Sequence, residues 1–295
     1  MSVTSPLPRA NSALVEWALV VVPGVIWGAS FLFIAEGLEV MEPDGISFLR
    51  MVIGFGALSL VPKARGPVLK SDRVGVFWLG LLWFAFPMSM FPYAEQRVTS
   101  ALTGMLNGAL PLFVAALVAV LTRRLPSVAV LTGLAVGLSG AVLMALPGIS
   151  AGGNSLFGVL LILVALVCYA IALTIARPLQ QRNGALPVIW RALAVAVILT
   201  APLGLPDLLA ARWTLRAALS MLALGALGTC VANVVMTVAA GRLGATKASA
   251  TTFLIPVVAL VLGVLVRDER VALMSVAGGG ICLLGAWLIR RASMA

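Results

Sequence analysis

Two polar side chains stand one helical turn before a proline, at the same spacing, in two long apolar runs of the chain. Asn107 precedes Pro111 by four residues and Thr252 precedes Pro256 by four residues, and the two pairs are 145 positions apart. A proline inside a membrane helix frees a backbone carbonyl, and a polar side chain at that depth either joins helices or lines a polar path. We therefore expect Pro111 and Pro256 to act as hinges, and Asn107 and Thr252 to line a cavity.

Other side chains suited to binding a solute lie in the same kind of apolar run. Aromatic and methionine side chains can form an adaptable wall for a partly apolar solute, and hydroxyl and amide groups can donate or accept hydrogen bonds. An interhelical hydrogen bond or a packing role is the alternative for each residue taken alone. Besides Asn107 and Thr252, the residues that we expect in the cavity are Trp27, Ser30, Met88, Tyr169 and Asn233.

Three charged residues lie in or beside the apolar runs. Arg50 and Arg191, which correspond at a displacement of 141 positions, each lie a few residues into a predicted span. From there a long side chain can reach a helix end or a lipid phosphate, and binding a substrate carboxylate is the alternative. Glu95, near the end of the predicted third span, is the candidate proton relay. Because the chain contains no histidine, uncoupled or exchange transport is favoured over proton coupling.

The composition indicates that lipid is the solvent around these groups. Hydrophobic residues make up 62% of the 295 residues and charged residues only 10%, more apolar surface than a soluble domain can hide. The apolar runs are continuous, so they predict an all-α integral membrane protein with ten transmembrane helices. The predicted spans are 14–36, 46–62, 75–93, 99–121, 128–147, 156–177, 186–204, 217–239, 248–266 and 271–289.

The ten predicted spans divide into two halves that look like copies of one segment. Residues 79–143 and 224–288 align without a gap at a displacement of 145 positions, and Arg97 then falls on Arg242. Five spans is an odd number, so the second copy enters the membrane upside down and two inverted five-helix repeats are expected. The predicted organisation is a cytoplasmic tail 1–13, a first repeat 14–147, a connector 148–155, a second repeat 156–291 and a cytoplasmic tail 292–295.

The net charge of +10 is explained by membrane topology. If the N-terminus is cytoplasmic, 13 Lys and Arg residues fall on the inner side, 5 on the outer side and 2 within spans. By the positive-inside rule, both termini are predicted in the cytoplasm of a bacterial cell, with the chain in its inner membrane. The expected partners are membrane lipid and a small-molecule substrate, not nucleic acid, and a monomer is favoured over a dimer.

The sequence carries no recognisable catalytic or nucleotide-binding constellation. It has no phosphate-binding loop of the glycine-lysine-serine/threonine type, and the predicted loops leave no room for an ATP-hydrolysing domain. Cys168, Cys230 and Cys282 lie far apart without the spacing of metal ligands. We therefore predict no cofactor, no metal and no enzyme activity. An intramembrane lipid enzyme and a non-transporting scaffold or receptor are the less favoured alternatives.

A set of short motifs, taken in order along nearly the whole chain, indicates a family. The motifs are Trp27-Gly28-Ala29-Ser30-Phe31, Pro43 followed by Phe48-Leu49-Arg50, Thr99-Ser100-Ala101 leading to Pro111-Leu112, Ala245-Thr246-Lys247-Ala248-Ser249-Ala250 leading to Pro256-Val257, and Asp268-Glu269-Arg270. Their order and spacing resemble the EamA-type members of the drug/metabolite transporter superfamily. One departure is Thr122-Arg123-Arg124-Leu125, which lacks the carboxylate that is kept at Glu269.

This resemblance implies a carrier in which the third, fourth, eighth and ninth helices, with parts of the first and sixth, surround a central cavity. The fifth and tenth helices would be peripheral. Many members of the family export amino acids, metabolites or toxic compounds. We therefore predict a secondary transporter that exports small organic solutes, amino acids or related metabolites, by alternating access and without ATP. A multidrug or cationic-amphiphile exporter is the alternative.

Overall fold

The computed structural model describes the backbone of residues 9–123, 127–150, 153–243 and 249–292, and within these ranges the structure is helical, without a strand. Arg124, residues 244–248 and the side chain of Arg242 lie outside the described part. The helical units are α1 Arg9–Gly37, α2 Pro43–Ser59, α3 Lys70–Glu95, α4 Ser100–Thr122, α5 Val128–Ser150, α6 Gly153–Asn183, α7 Ala185–Ala210, α8 215–243, α9 249–267 and α10 Leu273–Ala292.

Seven of these units, within the described residues, contain a helix long and apolar enough to cross a membrane. They are α1 and α3 to α8. The shorter apolar helices Thr251–Arg267 and Leu273–Ile289 lie in α9 and α10. The α2 helix has only 17 residues, carries Asp44 and Arg50, and is not among the helices that are long and apolar enough to cross a membrane. The prediction of an all-helical protein with many membrane helices is confirmed, and ten complete crossings stay a prediction.

Large apolar side chains cover the outside of the bundle. On α7, Ile198 is 71% exposed and Leu203 is 66% exposed. Exposed apolar side chains of this kind are found on many of the units, and such a surface is stable in lipid but not in water. The helices satisfy their backbone groups internally, and their outer apolar side chains suit contact with the hydrocarbon chains of lipid.

Successive helices alternate between the two ends of the bundle. At one end, which we call the acidic end, segments 36–44, 95–100, 211–216 and 267–269 lie together. There the backbone N–H of Arg212 donates to the carbonyl of Val40 at 3.1 Å. At the opposite end, which we call the basic end, Asn183 Oδ1 accepts from the backbone N–H of Leu69 at 2.8 Å. The helices thus run up and down through one bundle.

Corresponding helices of the two halves pack antiparallel. Glycine allows α5 and α10 to touch backbone to backbone: a Cβ added to Gly140 would lie 2.3 Å from the backbone nitrogen of Cys282, and one added to Gly285 would lie 2.3 Å from that of Gly137. Such close approach is typical of small residues in membrane helix interfaces. The α5–α10 pair stands at the side of the bundle that the resemblance makes peripheral.

The α4–α9 and α2–α7 pairs are also antiparallel. A Cβ on Gly104 would lie 2.2 Å from Cβ of Ala259, and a Cβ on Gly263 would lie 2.8 Å from Cβ of Ala101. Helices at corresponding places in the two halves have corresponding packing partners. In the first half, α1 packs on α8 and α9, and in the second half α6 packs on α3 and α4. Likewise α2 packs on α8, and α7 packs on α3. Each contact set in one half thus has its counterpart in the other.

Irregular backbone also recurs at the 145-residue displacement. A π-helical segment occupies Gly80–Ala85 in α3 and another occupies Ala223–Val231 in α8. Arg123 at the end of α4 and Asp268 at the end of α9 both have a positive φ, 50° and 53°. A left-handed residue ends a helix by letting the chain turn back on its last carbonyls, so the two halves stop these helices in the same way.

Candidate functional site

The two matched prolines lie at interruptions of their helical units. In α4, one α-helix ends at Asn107 and the next begins at Leu110, with Pro111 in its first turn. In α9, a short 3₁₀ segment leads into the α-helix Leu254–Arg267, whose first turn contains Pro256. Proline fits a first helical turn because its missing N–H needs no partner there. The structure therefore puts both residues at breaks, and hinge motion about them stays a prediction.

A cavity of about 130 Å³ lies beside these breaks. It is far larger than the roughly 10–15 Å³ that one water needs. The structure brings all seven predicted cavity residues together around it, and their role in binding stays a prediction. Its wall is formed by α1, α2, α3, α4, α6, α8 and α9, through Trp27, Ser30, Phe31, Ile34, Arg50, Trp83, Met88, Phe91, Asn107, Leu110, Tyr169, Leu173, Asn233, Thr252 and Ile255.

The π segment of α8 accepts hydrogen bonds from two side chains of this wall. Its Gly228 carbonyl accepts a hydrogen bond from Trp27 Nε1 at 3.0 Å, and the hydroxyl of Thr229 accepts from Arg50 Nε at 3.4 Å. A π turn shifts the regular hydrogen-bond ladder and is often found at functional sites. Sequence reasoning did not predict this segment, although the matched Gly80 and Gly225, which permit tight packing of both π segments, marked its place.

The two asparagines of the cavity differ in their hydrogen bonds. The side-chain amide of Asn233 donates to the carbonyl of Thr229 at 2.8 Å. The side-chain carbonyl oxygen of Asn107 is buried and, among the described residues, has no hydrogen-bond donor. A buried polar atom without a partner is costly. The Asn107 oxygen is therefore a vacant acceptor in the wall of the cavity.

Arg50 lies in the cavity wall, where the sequence analysis had favoured a helix-end or lipid contact. Its side chain is only 4% exposed, because α2 packs against α7 on one side and α8 on the other. Arg50 is the one charged residue of the described cavity lining. The ion pairs found among the described residues join Arg182, Arg216 and Arg267 to carboxylates and do not include Arg50.

Arg191 makes the helix-end contact that was expected of both arginines. One of its terminal nitrogens donates to the carbonyl of Gly66 at 2.7 Å and to that of Pro187 at 3.3 Å. Its guanidinium also lies 5.5 Å from the ring of Trp190. Arg191 therefore holds the loop between α2 and α3 to the start of α7 at the basic end, away from the cavity.

Aromatic rings close the side of the cavity that faces the acidic end. Phe31 and Phe91 meet edge to face with ring centroids 5.6 Å apart, and Phe91 stacks on Tyr169 at 5.9 Å. One helical turn beyond Phe91, the two carboxyl oxygens of Glu95 are buried without a hydrogen-bond partner among the described residues. Glu95 lines a second pocket, of about 560 Å³, at the acidic end.

Ion pairs between the two halves hold the acidic end together. Glu36 of α1 is 3% exposed and accepts hydrogen bonds at 2.7 Å from Arg216 of α8 and at 2.7 Å from Arg267 of α9. Arg267 also donates to Glu39 at 2.9 Å. We call Glu36, Glu39, Arg216 and Arg267 the acidic-end lock. Sequence reasoning missed it, because its members are far apart along the chain.

The Glu269 carboxylate adds a further tie between the halves. It accepts from the backbone N–H of Ser100 at 3.0 Å, from the Ser100 hydroxyl at 2.7 Å and from the N–H of Ala101 at 2.9 Å. A carboxylate at a helix N-terminus satisfies orphan N–H groups and complements the helix dipole. The carboxylate kept at Glu269 therefore caps α4, and the corresponding Arg124 lies outside the described residues.

Comparison with known proteins identifies the same segment twice. A model of the EamA-like transporter family matches residues 16–146 and again residues 156–291. A solved crystal structure superimposes with a TM-score of 0.60 over 95% of this chain and 96% of that chain, at 17% identity. That likeness concerns the fold alone.

Curated relatives cover most of the chain. The chain is 27% identical to the uncharacterized transporter YdfC of Bacillus subtilis, over 88% of this chain and 86% of that protein. It is 24% identical to an uncharacterized transporter of Archaeoglobus fulgidus, over 94% and 99%. It is 28% identical to a protein of Streptantibioticus cattleyicolor described as a probable terminal-alkyne amino-acid exporter, over 94% of each.

Proposed function

This chain belongs to the EamA-like transporter family and is a multi-pass membrane transporter, and on that premise we propose that it exports small organic solutes of the amino-acid class. The observation that carries the proposal is the pairing of a buried guanidinium with a vacant carbonyl acceptor around one cavity. Arg50 complements a carboxylate, and Asn107 complements an ammonium group. The description of the Streptantibioticus cattleyicolor relative as an amino-acid exporter supports the same class.

The case for a carboxylate rests on the surroundings of Arg50. Burying an ion without a counter-ion costs several kcal/mol, and the 3.4 Å hydrogen bond to Thr229 involves one nitrogen of the guanidinium. A planar guanidinium can bind a carboxylate through two parallel hydrogen bonds. A substrate carboxylate in the cavity would thus lower the cost of keeping Arg50 buried.

The remaining walls suit the rest of such a solute. The vacant acceptor of Asn107 can receive an N–H of the substrate ammonium group. Trp27, Met88 and Tyr169 offer apolar and aromatic surface to a side chain, and Ser30, Asn233 and Thr252 surround it with hydroxyl and amide groups. Small-molecule sites are usually lined by many apolar side chains and a few polar groups.

For the transport mechanism, we infer alternating access between two inverted halves, 14–147 and 156–291, joined by the connector 148–155. The twofold family match, the antiparallel pairing of corresponding helices and the exchange of packing partners support ten crossings in this arrangement. Bending at Pro111 and Pro256 would open one end as the other closes. We propose that a monomer, surrounded by lipid, is the transporting unit and that ATP is not used.

We also propose the orientation of the chain in the membrane. The positive-inside rule places the acidic end outside a bacterial inner membrane and both termini in the cytoplasm. With the acidic-end lock formed, the cavity is then closed toward the outside. This is the state in which an exporter would load its substrate from the cytoplasm.

A multidrug exporter for cationic amphiphiles is the second candidate. The aromatic rings of Trp27, Trp83 and Tyr169 in the cavity favour it, because aromatic faces attract organic cations. The positive charge of Arg50 disfavours it, because a like charge in the same small cavity repels the ligand. The two candidates therefore predict opposite effects when the charge of Arg50 is removed.

The test is transport by the purified protein in liposomes, with tritiated phenylalanine and a panel of other neutral amino acids. We expect Arg50→Met to weaken transport of the amino acids by about 10- to 100-fold, since hydrogen bonds to charged groups contribute about 1.5–3 kcal/mol. Arg191→Met is the matched control and should lower thermal stability while leaving the apparent substrate affinity unchanged. Absence of amino-acid transport by the wild-type protein, or faster transport of a cationic dye by Arg50→Met, would contradict the proposal.

A further inference from the structure

Glu95 is a buried acid whose surroundings fit no structural role already described. It ends α3 at the acidic end, one helical turn past Phe91 of the cavity wall. Both of its carboxyl oxygens are buried, and among the described residues neither accepts a hydrogen bond. Neighbouring carboxylates, by contrast, have partners: Glu36 binds two arginines, and Glu269 caps α4.

Burying an ionised carboxylate at this position would cost much free energy, whereas burying a neutral carboxyl group would cost little. Moving an ionised carboxylate out of water without donors costs far more free energy than moving the neutral acid. The geometry therefore favours a carboxyl group that holds a proton. Glu95 can ionise only when a nearby cation compensates for the lost solvation of its carboxylate.

The charged groups around Glu95 come from several elements. Arg50 of α2, Arg267 at the end of α9 and Glu269 beyond it act on Glu95 electrostatically. Glu39, just after α1, lines the acidic-end pocket together with Glu95, and the residue of α4 that lines this pocket is the uncharged Ser100. Because Arg267 is already paired with Glu36 and Glu39, Arg50 is the unpaired cation of this group.

Glu95 lies between two spaces in the helical bundle. Toward the acidic end it lines the pocket of about 560 Å³, whose wall also holds Gln96, Thr99 and Glu269. On its other side stand Phe91 and the cavity that contains Arg50. Glu95 thus lies between the acidic end and the candidate carboxylate-binding site.

We propose that Glu95 is a proton-binding site and that its proton and the substrate carboxylate bind together, linked through Arg50. An ionised Glu95 would compete for the charge of Arg50, whereas a protonated Glu95 leaves that charge to the substrate. Linkage is reciprocal, so a bound substrate carboxylate also favours the proton on Glu95. Substrate and proton therefore cross the membrane in the same direction. This inference rests on the proposed function, because it takes Arg50 as the substrate site.

The first test needs no substrate. Infrared difference spectra of the purified protein between alkaline and acidic pH should contain the carbonyl stretch of a buried protonated carboxyl group. Glu95→Gln should lose that band, and the matched variant Glu39→Gln, which removes a carboxylate that is 57% exposed in the same pocket, should keep it. An unchanged band in Glu95→Gln, with the fold verified by thermal unfolding, would overturn the proton site.

The second test follows proton movement during transport. Liposomes loaded with tritiated phenylalanine and a pH-sensitive dye should export a proton with each phenylalanine. Glu95→Gln should lower the number of protons exported per phenylalanine by at least about 10-fold, because a glutamine side chain has no titratable proton to carry. Proton movement opposite to phenylalanine, efflux that needs sodium ions, or efflux by the wild-type protein without any proton would overturn the linkage.

The two tests separate the two proposals. If the wild-type protein moves none of the amino acids, the proposed substrate class fails, and the infrared band still decides whether Glu95 binds a proton. If phenylalanine is transported and the band is absent, the substrate class stands and the inference about Glu95 fails.

Discussion

Arg50 and Arg191 show how neighbouring atoms, more than residue type, decide what a charged side chain can do. Arg50 belongs to α2 and Arg191 to its packing partner α7, yet Arg191 donates to two backbone carbonyls, while Arg50 faces a cavity with a single long hydrogen bond. A guanidinium in water has no need of a fixed anion, whereas a buried one does. The same reasoning applies to Asn107, whose carbonyl oxygen is buried without a donor.

Asn107→Leu should separate stability from transport. Replacing a buried, unpartnered polar group by an apolar group of similar volume is close to neutral or stabilising, so we expect the thermal unfolding midpoint to stay the same or to rise. Transport of phenylalanine should fall by about 10-fold, because one substrate hydrogen bond is lost. Both quantities are measured on the same purified sample. A lower midpoint together with undiminished transport would show that Asn107 serves packing instead.

At the scale of helices, the proposed site lies in the part of the bundle where regular α-helix is interrupted. The π segments Gly80–Ala85 and Ala223–Val231 and the interruptions before Pro111 and Pro256 all lie in helices that line the cavity. By contrast, α5 and α10 have no such interruption in their described residues and pack through glycines. Irregular backbone in a membrane is stable only inside the protein or beside water, which places a cavity next to it.

Pro111→Ala should slow the transport cycle without weakening substrate binding. Alanine restores a backbone N–H, so a regular helix can extend across residues 108–109 and stiffen α4 at the proposed hinge. We expect turnover to fall by about 5- to 10-fold and the substrate concentration for half-maximal rate to stay constant. Pro202→Ala is the control, since Pro202 lies within α7 and is exposed on the outside of the bundle. Equal slowing by the two variants would contradict a hinge at Pro111.

At the scale of the whole molecule, the two halves have similar helical packing but carry opposite charges at the acidic end, where ion pairs join them. Glu36 and Glu39 belong to the first half, and Arg216 and Arg267 belong to the second. Arg216 and Glu39 are already largely exposed, and opening the end would let water solvate Glu36 and Arg267, which offsets part of the attraction that is lost. An acidic end that closes reversibly is what alternating access requires.

Removing the central charge of the lock should open the acidic end. A cysteine placed at Ala35, which is 8% exposed and lines the acidic-end pocket, reports access by a membrane-impermeant maleimide. We expect Glu36→Gln to raise its labelling rate by about 10-fold, because two charge-assisted hydrogen bonds are weakened.

The matched control for this labelling is Glu42→Gln. Glu42 lies at the same end and accepts a hydrogen bond from Gln96 at 3.2 Å, and its substitution should leave the rate unchanged. The native Cys168, Cys230 and Cys282 are buried and contribute little background. If labelling at position 35 is equally slow with and without the Glu36 charge, the lock does not control access.

The sequence by itself determined the class of protein and the approximate depth of its candidate site residues, and it did so through patterns that lipid imposes. Continuous apolar runs predict membrane helices because every backbone group must be satisfied inside its own segment. The 145-residue displacement predicts which residues occupy matched depths, because helix geometry converts sequence position directly into height. From these two rules, residues as distant as Trp27 and Asn233 were expected to face one cavity, around which the structure now gathers them.

Tertiary structure alone decided which of these groups lack a partner. Rotation about each helix axis and the packing of α2 between α7 and α8 bury Arg50, and a one-dimensional pattern does not encode that rotation. The acidic-end lock and the Glu269 cap of α4 join residues more than a hundred positions apart, and the fold also leaves the Asn107 and Glu95 oxygens buried without a partner among the described residues. Hydrogen bonds and ion pairs form over a few ångströms. Only the folded chain therefore determines which polar groups pair with each other and which are left to bind a ligand.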